Sequence, residues 1–370
     1  MNLSHLILRN FKNYTEADLN FSEKINCLVG GNGAGKTNVL DAIYYLSFCK
    51  SYFNPIDSQN IKHDEDFFAL HGFYNFQNEH ENKVSCIQKR NHKKQFRFNS
   101  KDYDRLAEHI GKIPLVMISP YDRDMINEGS ETRRKYMDGV ISQFDKIYLK
   151  DLLEYNKALL QRNVLLKSFA EQHYFDALSL SIWDEKMATL GENIHEKRKE
   201  FLKDFNPLFE EYYRYLSGGN EQVEVIYSSQ LEEGNLKDLL KQALQRDRMA
   251  RYTTQGIHKD DLIFRINGFP VKKFGSQGQQ KSFVVAIKLA QFEYTREKKG
   301  FKPILLFDDI FDKLDDDRVS QIVELVSKDN FGQVFITDTQ LQRIKSIFDN
   351  VKIDHQIFFV EKGTVKEAHD

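Results

Sequence analysis

The chain has 370 residues, enough for two or three compact units. Hydrophobic residues make up 41% and the formal net charge is −2, which excludes a non-specific polycation and confines any nucleic-acid surface to a local patch. No apolar run is long enough to span a bilayer. The start, Met1-Asn2-Leu3-Ser4-His5, has neither the charged lead nor the apolar core of a signal peptide. Three isolated cysteines, Cys27, Cys49 and Cys86, predict half-buried thiols in a reducing cytoplasm and no metal site.

Leu6 and Leu8 alternate with polar neighbours and predict a first strand before Arg9-Asn10-Phe11-Lys12-Asn13-Tyr14. Ile25–Val29 is a short apolar run that predicts a buried strand. It leads into Gly30-Gly31-Asn32-Gly33-Ala34-Gly35-Lys36-Thr37, which fits the phosphate-cradling pattern G-x-x-x-x-G-K-[ST]. A helix follows from Asn38 to Ser47, with Val39, Leu40, Ile43, Tyr44 and Leu46 on one stripe. Strand, glycine loop and helix are the context this motif needs. The glycines let backbone N–H groups of residues 30–38 converge on phosphate oxygens, and the helix start adds partial positive charge. Lys36 is expected to reach the β- and γ-phosphates of ATP, and the Thr37 hydroxyl to hold Mg²⁺.

Between Phe67 and Phe98, Phe68, Leu70 and Phe73, then Val84, Cys86 and Ile87, then Phe96 and Phe98 alternate in short segments that predict an antiparallel sheet of hairpins. Residues 83–105 carry eight basic side chains against two acidic ones, with Phe96, Phe98 and Tyr103 interleaved. Lys89, Arg90, Lys93, Lys94 and Arg97 are the candidate DNA contacts here. The competing reading is a solvated hairpin whose aromatics face the core. Ile113–Ile118 predicts another strand, closed by Ser119-Pro120.

Residues 131–216 are nearly free of glycine and proline. Leu149, Leu152, Leu153, Leu159, Leu160, Leu165 and Leu166 recur at helical spacing, as do Met187, Leu190, Ile194, Phe201, Leu202 and Phe205 after Trp183. Long antiparallel helices forming a lobe are predicted. Arg133, Arg134, Lys135, Lys146, Lys150, Lys157 and Arg162 there suit salt bridges to neighbouring acids as well as they suit DNA. A strand at Val223–Tyr227, a helix at Lys237–Met249 and an alternating Leu262, Phe264, Ile266 strand before Asn267-Gly268 come next. The rest alternates helix 279–298, strand Ile304–Phe307, helix 317–328, strand Val334–Ile336 and helix 340–348, the pattern of a parallel sheet. The expected division is an ATPase lobe at 1–125, a helical lobe at 126–250, and the remainder of the ATPase lobe at 251–370.

Ile304-Leu305-Leu306-Phe307-Asp308-Asp309 is a buried-strand run ending in paired acids, a Walker-B pattern. Asp308 is expected to hold Mg²⁺, and Asp309 to orient or deprotonate the attacking water. Ser276-Gln277-Gly278-Gln279-Gln280 precedes an apolar helix, and its distance ahead of Asp308 resembles the signature motif of ABC-type ATPases. That resemblance implies that Ser276, Gln277 and Gly278 contact the γ-phosphate held by a second subunit. Leu216-Ser217-Gly218-Gly219-Asn220-Glu221-Gln222 is closer to the transporter signature in letters, but a predicted strand follows it, so it reads as a turn. Phe311-Asp312-Lys313-Leu314-Asp315 resembles a D-loop. Thr337-Asp338 stand where transporter ATPases place a switch histidine.

The order and spacing of these blocks resemble the RecF family within the SMC/Rad50-like ABC ATPases, nearly end to end. Leu8–Tyr14, the P-loop with Asn38, and Ser119-Pro120 with Thr132-Arg133-Arg134 and Met137-Asp138 carry the likeness. So do Trp183-Asp184-Glu185, Gly256-Ile257-His258-Lys259-Asp260-Asp261-Leu262, Ser276–Gln280, and Asp308-Asp309 with Leu314-Asp315. The family usually has Gly-Pro-His-Arg where this chain has Gly256-Ile257-His258-Lys259. It often has an arginine where Phe53 follows Ser51-Tyr52, so that role is vacant or falls to Lys50. The resemblance implies an α/β, P-loop ABC-type ATPase head, a mixed sheet plus an antiparallel hairpin subdomain, with an inserted helical lobe. It further implies a weak ATPase that forms an ATP-dependent homodimer and binds single-stranded or gapped DNA and single–double-strand junctions. Action with RecO and RecR to help RecA assemble, in repair, replication and SOS induction, is implied as well.

Three other functions compete. A transporter nucleotide-binding subunit predicts a switch histidine and no hairpin sheet. An OLD-type ATPase needs a further acidic catalytic domain, for which no room is expected before Asp370. A small-molecule kinase needs no signature motif. Asp309, shorter than the glutamate common in related ATPases, leads us to expect slow hydrolysis.

Overall fold

The computed structural model describes all residues except 77–80, 220, 311–315, 328–330, 349–353 and 368–370. The chain divides into two compact units, Met1–Asp122 with Ile287–Asp370, and Arg123–Ala286. In chain order the first opens with β1 (Asn2–Phe11), β2 (Tyr14–Asn20), β3 (Ile25–Val29), α1 (Lys36–Phe48), β4 (Phe67–Asn75), β5 (Asn82–Lys89), β6 (Gln95–Phe98), β7 (Lys101–Asp102) and β8 (Leu115–Ile118). The second holds α2 (Asp124–Asn127), α3 (Ser130–Ser142), α4 (Lys146–Gln172), α5 (Ala177–Ser217), β9 (Val223–Ser228), α6 (Leu236–Ala250), β10 (Asp261–Ile266), β11 (Phe269–Pro270) and α7 (Val271–Phe274). The unit boundary at 286/287 falls within α8 (Gln277–Lys299). β12 (Ile304–Phe307), α9 (Asp316–Ser327), β13 (Val334–Asp338), α10 (Leu341–Phe348), β14 (His355–Glu361) and β15 (Thr364–Glu367) complete the first.

In the first unit one sheet runs β15-β14-β3-β13-β12-β8, parallel except for the β15 edge. Every residue of β3, β12, β13 and β8 is buried, as continuous apolar runs covered on both faces require. A second sheet, β2-β1-β4-β5-β6-β7, is antiparallel throughout. Its strands alternate, so Leu6, Leu8, Leu70, Val84 and Cys86 point into the core. α1 packs against strands of both sheets and buries Val39, Leu40, Ala42, Ile43, Tyr45 and Leu46. The residues leading into α1 are thereby held from two sides.

The second unit is helical with a small antiparallel sheet, β11-β10-β9. α4 and α5 form a hairpin, each begun by an aspartate cap: Asp145 accepts from the Tyr148 amide, and Asp176 from the Leu178 and Ser179 amides. The expected return to the first unit at 251 comes instead at Ile287. β10 pairs with β9 along its whole length, so residues 251–286, Ser276 included, stay with the helical unit. The leucines that recur at helical spacing in α4 do not all face inward: Leu153 and Leu160 are exposed. The buried face is Tyr148, Tyr155, Ala158, Arg162 and Leu166.

Two buried arginines explain that pattern. Arg162, 0% exposed, donates from Nε to Asp184 at 2.6 Å and from Nη1 to Asp247 at 2.6 Å and Thr253 Oγ1 at 2.9 Å. Arg198 donates to Asp260 at 2.7 Å, Asp138 at 2.8 Å, the Ile257 carbonyl at 2.9 Å and Tyr148 Oη at 3.1 Å. Arg133 forks onto Asp261 at 2.6 and 3.0 Å. Such pairs are costly to break one partner at a time. Among the described residues no helix is long and apolar enough to cross a membrane.

His258 lies against this network. Its Nδ1 is 3.0 Å from the Tyr155 hydroxyl and its Nε2 3.1 Å from the Thr253 carbonyl, a set that suits the neutral ring with its proton on Nε2. Burial pushes its pKa down to about 4. Between about pH 6.5 and that value the unfolded chain takes up a proton that the folded chain refuses. The His258 contribution, about 3 kcal/mol, is therefore complete above pH 6.5 and lost as pH falls through that window. Urea unfolding of His258→Gln across pH 7.5 to 5 should show a flatter loss of stability than the native chain. Arg198→Met should cost about 3–5 kcal/mol in the same assay.

Candidate nucleotide-binding site

The P-loop connects β3 to α1 as the sequence predicts. Gly35, the residue before α1, has φ 119, and a Cβ there would lie 2.5 Å from Asn13 Nδ2. A Cβ on Gly30 would lie 2.2 Å from the Val360 carbonyl. Glycine is required at both, once by backbone conformation and once by the close approach of β14. Lys36 Nζ donates to the Gly30 and Gly31 carbonyls at 2.8 and 3.1 Å. The loop faces an open cleft of about 500 Å³, bounded by Gly30–Ala34 and by Phe359, Glu361 and Lys362.

Strand order brings the second half of the site to the first. β13 lies between β3 and β12, and the carboxyl ends of all three sit at one edge of the sheet, where open α/β folds bind ligands. Thr37 Oγ1 donates to Asp308 Oδ1 at 2.8 Å. Thr337 Oγ1, at the end of β13, donates to the same oxygen at 3.0 Å and accepts from the Asp309 amide at 2.8 Å. Asp308 is 3% exposed. Burial pushes its pKa up to about 6, the Thr37 and Thr337 hydroxyls pull the other way, and Asp309 adds to the rise. A buried carboxylate at one end of a phosphate cradle, beside a hydroxyl, is an oxygen donor set suited to Mg²⁺. Asp309 follows with φ 45, in the left-handed region.

Residues from outside the P-loop hold it in place, Asn13 and Tyr14 of the Leu8–Tyr14 block among them. Asn13 Nδ2 donates to the Ala34 carbonyl at 3.0 Å, the Tyr14 hydroxyl to the Gly35 carbonyl at 3.1 Å, and Asn38 Nδ2 to Asn13 Oδ1 at 2.8 Å. The Gly363 amide, in the β14–β15 turn, donates to the Ala34 carbonyl at 3.0 Å. Lys12 pairs with buried Asp41 at 2.6 Å, and Asp41 also accepts from Ser51 Oγ and the Tyr52 amide. The cation that meets Phe53 is Lys12, 5.3 Å from the ring centre, while Lys50 is exposed. Thr337 was missed as a site residue. A threonine in line with Walker B, one strand over, is visible only once the strand order is known.

In the second unit, Ser276 stands immediately before α8. Its Oγ accepts from the Gln279 amide at 3.2 Å, and Gln279 Oε1 accepts from the Ser276 amide at 2.7 Å, a reciprocal capping box. Ser276 and Gln277 are exposed and Gly278 is partly so. Leu216–Gln222, the competing signature, is different in kind: Gly218 ends α5 in the left-handed region and β9 follows. Glu221 from that turn holds Gln279 Nε2 at 2.5 Å. The D-loop candidate, residues 311–315, lies outside the described residues.

The basic hairpin resolves into unlike parts. Phe96 is buried in the core, and Phe98 and Tyr103 pack against it, so these aromatics are not a stacking platform. Lys94, expected as a DNA contact, is instead tied inward to Asp57 Oδ2 at 2.7 Å, the Tyr45 hydroxyl at 2.9 Å and the Cys49 carbonyl at 2.6 Å. Its long side chain reaches the interior from a rim position, which sequence spacing does not reveal. Arg97 pairs with Asp102 at 2.8 Å. Lys89, Arg90 and Lys93 are exposed.

Comparisons with known proteins cover nearly the whole chain. The family model described as RecF/RecN/SMC N terminal domain matches residues 2–365. The DNA replication and repair protein RecF of Flavobacterium johnsoniae is 53% identical over 358 residues, covering 97% of this chain and 99% of that protein. RecF of Phocaeicola vulgatus is 50% identical over 371 residues, covering 100% and 99%. A solved structure of the recombination mediator protein RecF–ATP in the RecFOR pathway superposes with a TM-score of 0.90 at 32% identity, covering 100% of this chain and 98% of that one. An Smc head domain from Pyrococcus furiosus is similar in fold alone, with a TM-score of 0.58 at 18% identity and coverage of 99% and 96%.

Two variants test the local geometry. Asp308→Asn removes a buried charge and should raise the melting temperature without nucleotide, while abolishing the further rise given by ATP with Mg²⁺ in a thermal-shift assay. Lys94→Ala should cost about 1–3 kcal/mol of stability by denaturant unfolding, whereas alanine at Lys89 or Lys93 should be near neutral.

Proposed function

The chain belongs to the RecF family of DNA replication and repair proteins, within the RecF/RecN/SMC group, and on that premise we propose that it is an ATP-gated, DNA-binding recombination mediator. The observation that carries this reading is the convergence of Thr37 and Asp308, 2.8 Å apart at the mouth of a glycine cradle. The RecF–ATP and RecF–ATPrS structures, both of the RecFOR pathway and alike over nearly the whole chain, support it.

In this reading, backbone amides of Gly30–Asn38 and the Lys36 ammonium hold the triphosphate. Lys36 exchanges the Gly30 and Gly31 carbonyls for phosphate oxygens, which are stronger acceptors for a cation. Thr37 and Asp308 hold Mg²⁺, which when bound neutralises charge on the phosphates. Asp309 orients the attacking water, its backbone fixed by Thr337. Ser276, Gln277 and Gly278 of a second copy meet the γ-phosphate, so ATP closes a homodimer. Hydrolysis is slow and serves as a switch. The closed dimer binds gapped DNA or single–double-strand junctions and acts in the cytoplasm with RecO and RecR to help RecA assemble, in repair, replication and SOS induction. The ATPase lobe is built from both ends of the chain around the helical insertion. Exposed Lys89, Arg90 and Lys93 are available to phosphates, although Arg90 Nε also donates to the Glu65 carbonyl at 2.9 Å; Lys94 is tied inward, and Arg97 is held in an exposed pair with Asp102.

Sedimentation with ATP and gapped DNA should show a dimer that Lys36→Ala and Ser276→Arg each fail to form. Mixing the two variants should recover one working site per dimer, because each supplies what the other lacks. Recovery no greater than the sum of the separate activities would contradict a composite site. Asp309→Asn should trap the ATP-bound dimer, and Ser217→Ala should behave as the native chain. Reversing charge at Lys89, Arg90 and Lys93 together should reduce the salt slope of DNA binding by up to about 3; an unchanged slope would remove this patch.

A further inference from the structure

Ser119 has no part in the reading above. It follows β8, next in the sheet to β12. The last paired residues of these parallel strands are Ile118 and Phe307, and the Asp308 amide donates to the Ile118 carbonyl at 2.8 Å. One step further along, Ser119 stands beside Asp308. Ile336 pairs with Phe307 on the other side, which puts Thr337 beside Asp308 as well. Residues in register on adjacent strands project from the same face. Thr337, Asp308 and Ser119 thus form one polar row across three strands at the ligand-binding edge of the sheet.

The row is not evenly satisfied. Thr337 uses its hydroxyl on Asp308 and on the Asp309 amide. Ser119 is 5% exposed, and its hydroxyl is buried without a hydrogen-bond partner. A buried hydroxyl left unpaired is costly, about 1–3 kcal/mol, and calls for an explanation. Nor is Ser119 loosely placed. Its amide donates to Asp122 Oδ2 at 2.7 Å, and Asp122, itself buried, pairs through Oδ1 with buried Lys288 at 2.7 Å and with the Tyr52 hydroxyl. An ion pair and a phenol fix the backbone of a residue whose side chain has no partner.

We propose that the Ser119 hydroxyl is a further polar contact of the nucleotide site, hydrogen-bonded to a water carried by the divalent cation beside Asp308. This rests on the nucleotide-site reading given above. A hydroxyl can accept from or donate to such a water without adding charge, and Mg²⁺ keeps several waters when it binds with a nucleotide. Outer contacts of this kind set metal affinity by about 10–100-fold when removed.

The test is Mn²⁺ affinity of the full chain with ATPγS, read by electron paramagnetic resonance of free Mn²⁺. Ser119→Ala should bind Mn²⁺ about tenfold more weakly, at the low end for an outer contact, with unchanged affinity for metal-free nucleotide and a melting temperature no lower than native. Ser119→Thr, which keeps the hydroxyl, should recover the affinity. Native Mn²⁺ affinity in Ser119→Ala would overturn the assignment and leave the hydroxyl with structural water only. An equal loss of metal-free nucleotide affinity would overturn it too, since the residue would then shape the P-loop. The parent reading is checked separately: Asp308→Asn should abolish nucleotide-dependent Mn²⁺ uptake, and if it does not, or if the native chain shows none, that reading fails whatever Ser119 does.

Discussion

A carboxylate removed from water governs the arrangement of the first unit. Asp308 can remain ionised in its position only if donors surround it, and these come from residues distant in the chain. Thr37, 271 positions away, supplies one from the start of α1, and Thr337 supplies another from β13. Thr337 reaches Asp308 because β13 is inserted between β3 and β12, so the strand order and this part of the site are one constraint. A sheet with the two motif strands adjacent would lose the Thr337 contact and the hold on the Asp309 amide.

The cradle itself is not self-supporting. Its carbonyls at Ala34 and Gly35 are gripped by Asn13 and Tyr14 from the β1–β2 turn and by the Gly363 amide from the β14–β15 turn. Elements from both ends of the chain therefore meet at one loop. The helical unit uses another device. Its centre holds Arg162 and Arg198 with Asp138, Asp184, Asp247 and Asp260. Such networks are demanding in geometry and intolerant of single losses, and they specify how helices pack more narrowly than leucines do.

Much of this was legible in the sequence. Ile25–Val29 and Ile304–Phe307 appear as predicted because short, mostly apolar runs, one ending at glycine and the other at paired acids, leave little choice. Ser276 and Ser217 were told apart by asking which turn opens a helix, and it is Ser276 that stands before α8. What stayed hidden shares a cause: the meaning of a polar residue depends on what the fold brings to it. Arg162 looked like a surface charge and is fully buried. Lys94 looked like part of a basic patch and is anchored inward. Leu153 and Leu160 belong to the helical leucine pattern yet face water, because the buried stripe of α4 includes an arginine. The stretches at 183–185 and 256–262 carried the family resemblance, yet Asp184, Asp260 and Asp261 are arginine partners within the helical unit. The domain boundary at 250 was placed by the end of helical pattern; pairing of β10 with β9 carries the unit on to Ala286.

Asp309 has a left-handed backbone, a conformation that aspartate and asparagine enter more readily than longer or branched residues. The short acid after Asp308 is thus suited to this torsion. Lengthening it to glutamate would do more than move a carboxylate outward by one methylene. It would also set the side chain on a peptide turn that such residues resist, with the strain placed directly against the amide that Thr337 holds.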